Sequence, residues 1–290
     1  MLNWRLNPGT LDFYSMKKNF TLRVLAAVGT VLLAASCQKV VTLELQAAAP
    51  RLTVEGNLAD DGQPCTVLLS RSVSYTETNT FPAVSGAIIT LSDDAGGLEI
   101  LSETSTPGQY RGRIITGQPG RRYTLRVQAD GQTYVAASTL PAVVVPLTGI
   151  KAQKSGFGNN IQILPQYLDP AGMRNYYFFR QYRNNRMNKA LFLQNDEFTD
   201  GKANIRALGG QGGGGGTDAD KLIVGDSVRV EMQNVDADVY EYFRTLNQTL
   251  QGGGMATASP ANPKSNFSGS VLGYFSAHSL RRRSIIVPTL

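Results

Sequence analysis

Few side chains in this sequence have the types and spacing that catalysis or cofactor binding would require. His278 is the only histidine, so any Ser-His-Asp or Cys-His arrangement would have to use it. It lies among small polar residues, and no G-x-S-x-G pattern marks a nucleophile. We therefore interpret His278 as a structural residue, and the sequence predicts no catalytic residue and no cofactor.

The charged clusters are better explained by turns and by solvation than by chemistry. The pairs Asp60-Asp61 and Asp93-Asp94 each precede a glycine, where short acceptors stabilise turns. Asp60-Asp61-Gly62 lacks the spacing of a calcium loop, and no zinc-ligand spacing occurs, so we predict no metal site. The cluster Arg281–Arg283 is interpreted as solvated charge, with contact to anionic lipid or polysaccharide as the alternative.

An apolar stretch near the start of the chain decides its compartment. Lys17, Lys18 and Arg23 form a positive region, and residues 24–35 are all apolar or small. Twelve such residues match the apolar part of a secretory signal and fall short of the roughly 20 that a membrane span needs. Met16 begins a better signal than Met1 does, so the true start is either of the two.

Cys37 is the residue with the clearest chemical role. Leu-Ala-Ala-Ser at positions 33–36 leads directly into it, as in a bacterial lipobox. In that motif, small residues let the peptidase approach, and the cysteine thiol takes a diacylglyceryl group before cleavage. We therefore expect Cys37 to be lipidated and to attach the mature protein to a membrane.

Two alternatives to lipidation at Cys37 remain open. An ordinary secretory signal cut near Ala35 would leave a free thiol, and a short uncleaved anchor would keep the apolar stretch. Cys65 is the only other cysteine, so without lipidation a Cys37–Cys65 disulfide would be possible. With lipidation, Cys65 is expected to be a small buried hydrophobic residue.

The net charge gives no indication of nucleic-acid binding. The whole chain carries +6, but residues 1–36 contain four basic residues and one acidic residue, so the mature chain carries +3. Much of the basic character thus belongs to the signal. We predict no nucleic-acid partner.

Alternating patterns predict strands over residues 51–140. In Tyr123–Ala129, apolar and polar residues alternate, and Asp130-Gly131 connects this run to the next, which is typical of a type I′ hairpin. Seven or eight short strands within about 100 residues favour an immunoglobulin-like β-sandwich.

A second β-rich domain is predicted after a proline-bounded linker. Residues 176–182, YYFFRQY, are aromatic on both faces of a strand, as expected for a strand buried between two layers. Val239, Phe243, Leu246 and Leu250 lie on one face of an amphipathic helix, with Asp236 or Asp238 as its N-cap. The predicted fold class is all-β with one or two helices.

The predicted organisation has several segments. These are a signal peptide over residues 1–36, a lipidated tether over 37–50, an immunoglobulin-like β-sandwich over 51–140, and a β-rich C-terminal domain over 147–290 with a helix at about 237–251 and a flexible glycine loop over Gly209–Gly216.

Four segments in this order resemble a known family. The segments are SCQKVVTLELQAAAPRLTVEGNLADDGQPCTVLLSRSVSY, VSGAIITLSDDAGG, YEYFRTLNQTL and NPKSNFSGSVLGYFSAHS, and they look like the Bacteroidota lipoproteins that carry domain of unknown function 4249. The resemblance implies an envelope lipoprotein, often encoded beside TonB-dependent outer-membrane receptors, with no established activity. Cys37 is the only residue to which the resemblance assigns a functional role.

We expect a non-enzymatic lipoprotein of the outer membrane, accessory to a TonB-dependent receptor, with an unknown ligand. A structural or adhesive envelope protein and a carboxylate-dependent envelope hydrolase are the alternatives. Many surface-displayed lipoproteins of that phylum carry acidic residues just after the cysteine, whereas here none precedes Glu44. The surface and the periplasmic orientation therefore both stay open.

Overall fold

The computed structural model describes residues 49–74, 80–156, 160–209, 221–251 and 262–290. The described residues contain fourteen strands and one helix, with the following bounds: β1 Leu52–Ala59, β2 Pro64–Arg71, β3 Ile88–Asp93, β4 Leu98–Glu103, β5 Gln109–Thr116, β6 Arg122–Ala129, β7 Gln132–Thr139, β8 Gly149–Lys154, β9 Ile161–Gln166, β10 Tyr176–Arg183, β11 Arg186–Met187, β12 Phe192–Asn195, β13 Ser227–Val235, α1 Ala237–Gln251 and β14 Leu272–Ile286. The all-β prediction is confirmed.

The hairpin predicted at Asp130-Gly131 is present. Ala129 pairs with Gln132 at the ends of β6 and β7, so the link has two residues. Asp130 has φ 53° and Gly131 has φ 71°, and two successive positive φ values are what a type I′ turn requires. The turn residues therefore fix the register of this hairpin.

Twelve strands form one sheet, and eleven of them follow the hydrogen-bonded order β11-β10-β13-β14-β1-β2-β5-β4-β3-β6-β7. The twelfth, β12, pairs with β10, and β8 pairs with β9 in a separate sheet. Strand β7, at one end of this order, lies against β14, because the amide of Ala277 in β14 donates to Ser138 Oγ in β7 at 2.9 Å. The inward side chains of β1 to β7 and of β14 form this core, which includes Val54, Leu125 and Phe275. This arrangement is a β-sandwich.

A second core lies between the β8-β9 hairpin and the sheet of β10 and β13, and a third lies beneath helix α1. Tyr177 and Phe179 belong to the second core, whereas Phe178 belongs to the third and stacks on Phe243 of the helix at 4.2 Å between ring centroids. The prediction that β10 is buried between two layers is therefore confirmed.

Helix α1 begins and packs much as the sequence predicts. Asp236 is the N-cap, because its Oδ1 accepts the amide of Val239 at 2.9 Å. Val239 and Phe243 are buried. Leu250, however, is 64% exposed, so the apolar stripe ends one turn before the predicted limit.

The two regions predicted as domains, over 51–140 and 147–290, are linked by a shared strand in the structure. Ala48–Leu290 group as one compact unit. Strand β14 pairs with β1 over Leu272–His278 and with β13 over Ser279–Ile286, so it contributes to both large cores. The predicted linker near Pro141 leads from the first core to the second. Strand β14 then returns to pair with β1, and this long-range pairing has no local signal in the sequence.

Some predictions fall on residues outside the described ranges. The signal peptide over 1–36, Cys37, nearly all of the tether and the glycine loop after Gly209 are among them. Within the described ranges, no helix has the length and the apolar character to cross a bilayer.

Candidate functional site

The acidic pairs that the sequence singles out are structural. Asp93 Oδ1 accepts the amides of Ala95 at 2.9 Å and Gly97 at 2.8 Å, which is the predicted turn. These hydrogen bonds and Arg121 lower the pKa of Asp93 against the opposing effect of burial. Asp60 accepts two guanidinium nitrogens of Arg281, at 2.8 and 2.9 Å. Arg281 is therefore held in an ion pair, unlike the solvated cluster that we predicted.

His278 is buried in strand β14, with 3% of its surface exposed. Its Nδ1 lies 2.9 Å from Oγ of Ser276, which is also buried. Burial, followed by the charge of Arg180, lowers the pKa of His278 to about 4. The histidine is therefore neutral at physiological pH, and no substrate has access to this Ser-His pair.

Cys65 is also buried, as predicted, and it is a free thiol. Burial raises its pKa, with a smaller contribution from the charge of Glu99, so the reactive thiolate form is disfavoured. Cys65 therefore acts as a small core residue.

The strongest candidate site is a cluster of three aspartates in loops that follow strands. Asp169 comes shortly after β9, Asp196 comes directly after β12, and Asp200 lies in the next turn. One carboxylate oxygen from each lies within 4.8 Å of the others. Asp169 and Asp196 are buried and Asp200 is exposed, so the cluster reaches from the interior to the surface.

Backbone hydrogen bonds bring the two loops together. The amide of Asp169 donates to the carbonyl of Lys202 at 3.1 Å, and the amide of Thr199 donates to the carbonyl of Asp196 at 2.8 Å. The second bond closes a tight turn that directs Asp200 toward the other loop, where its Oδ1 accepts the amide of Gly172 at 2.8 Å.

Each carboxylate is also oriented by its own donor. Tyr177 donates its hydroxyl to Asp169 Oδ1, and the amide of Gly201 donates to Asp169 Oδ2 at 3.3 Å. The amide of Asn175 donates to Asp196 Oδ2 at 2.7 Å. These contacts fix the carboxylates before any ligand arrives.

The cluster is electrostatically unfavourable in the absence of a cation. Burial raises the pKa of Asp169, and repulsion from Asp196 and Asp200 acts in the same direction, although the hydrogen bonds from Tyr177 and Gly201 partly offset it. An open cleft of about 320 Å³ lies beside the cluster. Its lining residues are Gly172, Met173, Arg174, Asp196, Glu197 and Asp200.

The sequence analysis did not select these three aspartates. Asp169 is distant in the chain from the other two, and its proximity depends on how the two loops pack. The spacing of Asp196 and Asp200, followed by Gly201, was the available local signal, but two carboxylates in a turn are common without a ligand. The predicted functional residue, Cys37, lies outside the described ranges, so its lipidation stays a prediction.

Comparison with known proteins gives a family match over most of the chain. A family model described as a domain of unknown function (DUF4249) matches residues 38–284. A two-domain fibronectin type III segment from chicken tenascin is similar to this chain at 14% identity and a TM-score of 0.22, covering 65% of this chain and 91% of that segment. No curated protein matches the chain.

Proposed function

Because this chain belongs to the DUF4249 family, we propose that it is a non-enzymatic lipoprotein of the cell envelope, held at the outer membrane by lipid on Cys37. In this role it assists a TonB-dependent receptor by binding the receptor or its cargo. The receptor is suggested by the family resemblance, which implies genes beside such receptors.

The observation that carries the proposal is the order of features along the chain. The lipobox-like segment ends at Cys37, and strand β1 begins at Leu52. The residues between them can extend over at most about 50 Å, so the β-sheet unit stays within reach of proteins in the same membrane. Two or more acyl chains would hold it there stably.

The absence of catalysis is supported by the positions of the reactive side chains. Within the described ranges, Ser276 and His278 form a buried pair, and the Cys65 thiol is buried as well. A hydrolase of the Ser-His or Cys-His type would need such groups at a surface that the substrate can reach.

Metabolic labelling with a clickable palmitate analogue tests the anchor. We expect label on the wild-type protein and on Cys65→Ala, and none on Cys37→Ser, because only Cys37 follows the lipobox-like segment. Label that persists in Cys37→Ser would contradict the assignment of the lipid to Cys37. Absence of label from the wild type would contradict the anchor and make the Cys37–Cys65 disulfide the next question.

Purification from detergent-solubilised outer membranes tests the partner. We expect a TonB-dependent receptor to co-purify with the wild-type protein through stringent washing. If the labelled protein is in the outer membrane and no receptor co-purifies, binding to the receptor is wrong, and cargo binding and the structural or adhesive alternative stand. Protease treatment of whole cells then decides whether the protein faces the surface or the periplasm.

A further inference from the structure

The aspartate cluster has the donor chemistry of a site for a hard cation. All three converging groups are carboxylates, and neither histidine nor cysteine takes part. Oxygen ligands of this kind suit Ca²⁺ and Mg²⁺, whereas Zn²⁺ in proteins prefers nitrogen and sulfur. The cluster therefore points to an alkaline-earth cation.

The tolerance of the coordination shell favours Ca²⁺ over Mg²⁺. Ca²⁺ accepts six to eight oxygens at about 2.3–2.6 Å in a flexible geometry, whereas Mg²⁺ demands a near-ideal octahedron at about 2.0–2.1 Å. Three carboxylate oxygens within 4.8 Å of one another, each carboxylate held by its own hydrogen bonds, suit the more tolerant cation.

A second observation, independent of the clustering, indicates a missing ligand. Asp196 is 3% exposed, and its Oδ1 is buried without a hydrogen-bond donor. Buried carboxylate oxygens are normally satisfied because an unpaired one is costly. The nearest cation is Arg174, whose Nη1 lies 3.5 Å away and whose side chain is 56% exposed, so it can swing out into solvent.

The cleft beside Asp196 and Asp200 supplies the remaining requirements. Ca²⁺ takes six to eight oxygen ligands, and water often completes the shell. The cleft of about 320 Å³ has room for that water and gives access from solvent. Asp200 lies at the entrance, where a cation would meet it first.

From these observations we infer that Asp169, Asp196 and Asp200 bind one Ca²⁺ ion, with water from the cleft as the other ligands. The ion takes the place of Arg174 beside Asp196 Oδ1 and fixes the loop of residues 168–175 to the loop of residues 196–203. This function is independent of the lipid anchor and of any receptor.

Terbium luminescence tests the site directly on the chelator-treated full chain in detergent. Tb³⁺ takes the place of Ca²⁺, and the Tyr177 hydroxyl bonded to Asp169 lies close enough to sensitise it. We expect saturable luminescence from one ion per chain, displaced by Ca²⁺ at lower concentration than by Mg²⁺. Equal displacement by the two ions would overturn the choice of cation.

Matched variants separate coordination from general charge. Asp196→Asn and Asp200→Asn each remove a ligand charge, and even residues that only support a ligand change metal affinity about 10- to 100-fold. We therefore expect Ca²⁺ affinity to fall at least about tenfold in both. Glu197→Gln removes a charge from the same cleft without removing a converging oxygen, and its effect should be smaller.

The Asp200→Asn variant is the decisive one if Asp196→Asn does not fold, because Asp200 is exposed and an amide oxygen still accepts the Gly172 amide. Arg174→Gln should bind Ca²⁺ at least as tightly as the wild type, because it removes the competing cation. Absence of saturable binding to the wild type, or an equal loss in Glu197→Gln and Asp200→Asn, would overturn the inference.

Discussion

Gly273 in strand β14 lies directly opposite Val54 in strand β1, so closely that a Cβ atom on Gly273 would overlap the carbonyl oxygen of Val54. Gly273 has φ +99°, a conformation that other residues rarely adopt. Because β14 contributes to both large cores, this contact affects the whole unit and not one edge of a sheet.

We expect Gly273→Ala to lower the free energy of unfolding by at least about 2 kcal/mol, since a strained φ alone costs about 1–3 kcal/mol and the overlap adds to it. Urea unfolding followed by circular dichroism measures the change. Gly269→Ala is the control, because Gly269 has φ +81° but a Cβ there would meet only the Tyr134 ring, at 3.6 Å. Equal losses in the two variants would show that the overlap does not matter.

Glu99 in β4 holds the neighbouring strand β5 through its side chain. It is 7% exposed, and its two carboxylate oxygens accept the amides of Arg113 and Ile114 at 2.9 Å each and of Ile115 at 3.1 Å. Three backbone donors therefore depend on one side chain.

We expect Glu99→Ala to lower the free energy of unfolding by about 3 kcal/mol, because the buried amide of Ile115 would lose its acceptor and two part-buried hydrogen bonds to Arg113 and Ile114 would be lost as well. Glu99→Gln keeps one carbonyl oxygen and should lose about half as much. Glu55→Ala, at an exposed position of β1, is the control for losing a glutamate from a strand. Similar unfolding midpoints for Glu99→Ala and Glu55→Ala would contradict the role of Glu99 in holding strand β5.

The parts of the fold that local sequence determines could be predicted, and the parts that depend on distant partners could not. The Asp130-Gly131 turn follows from the backbone preferences of its two residues, and helix α1 follows from the regular spacing of its apolar residues. In β4, by contrast, Leu98 and Ile100 are each 69% exposed while Glu99 is buried. The polar residue lies inside because its donors are on another strand, which no alternation pattern shows.

The same limit applies to the candidate site. Asp196 and Asp200 are close in sequence, but Asp169 joins them only because the amide of Asp169 bonds to Lys202 and the hydroxyl of Tyr177 bonds to Asp169. The lipobox-like segment before Cys37 is a local pattern that the sequence displays directly, and lipidation there stays a prediction, whereas a cluster built from two loops required the tertiary structure.

The ion pair between Asp60 and Arg281 should contribute more stability than an exposed pair. The Asp60 side chain is 5% exposed, and both of its oxygens bind the guanidinium, an arrangement stronger than a single contact. A double-mutant cycle with alanine should give a coupling energy of about 1–3 kcal/mol for this pair. The same cycle on Arg71 and Asp130, which are 35% and 49% exposed, should give less than about 1 kcal/mol. Equal coupling energies would contradict this ranking.

Buried His278 should make stability depend on pH in the acid range. Burial and the charge of Arg180 lower its pKa to about 4, while Asp60 and Asp61 act in the opposite direction. The folded state thus holds the neutral ring, whereas the unfolded chain takes up a proton near pH 6.5. The stabilisation is complete above about pH 6.5 and is lost as the pH falls toward 4, by up to about 3 kcal/mol in total.

The comparison of wild type with His278→Gln isolates this effect, because the raised pKa of Asp169 acts in the opposite direction in both proteins and cancels in the difference. We expect the difference in unfolding free energy between the two, measured with urea from pH 7 to pH 4, to shift against the wild type as the pH falls, since glutamine takes up no proton. Parallel curves over this range would mean that His278 is protonated equally in the folded and unfolded states, which its burial between charged neighbours makes physically unfavourable.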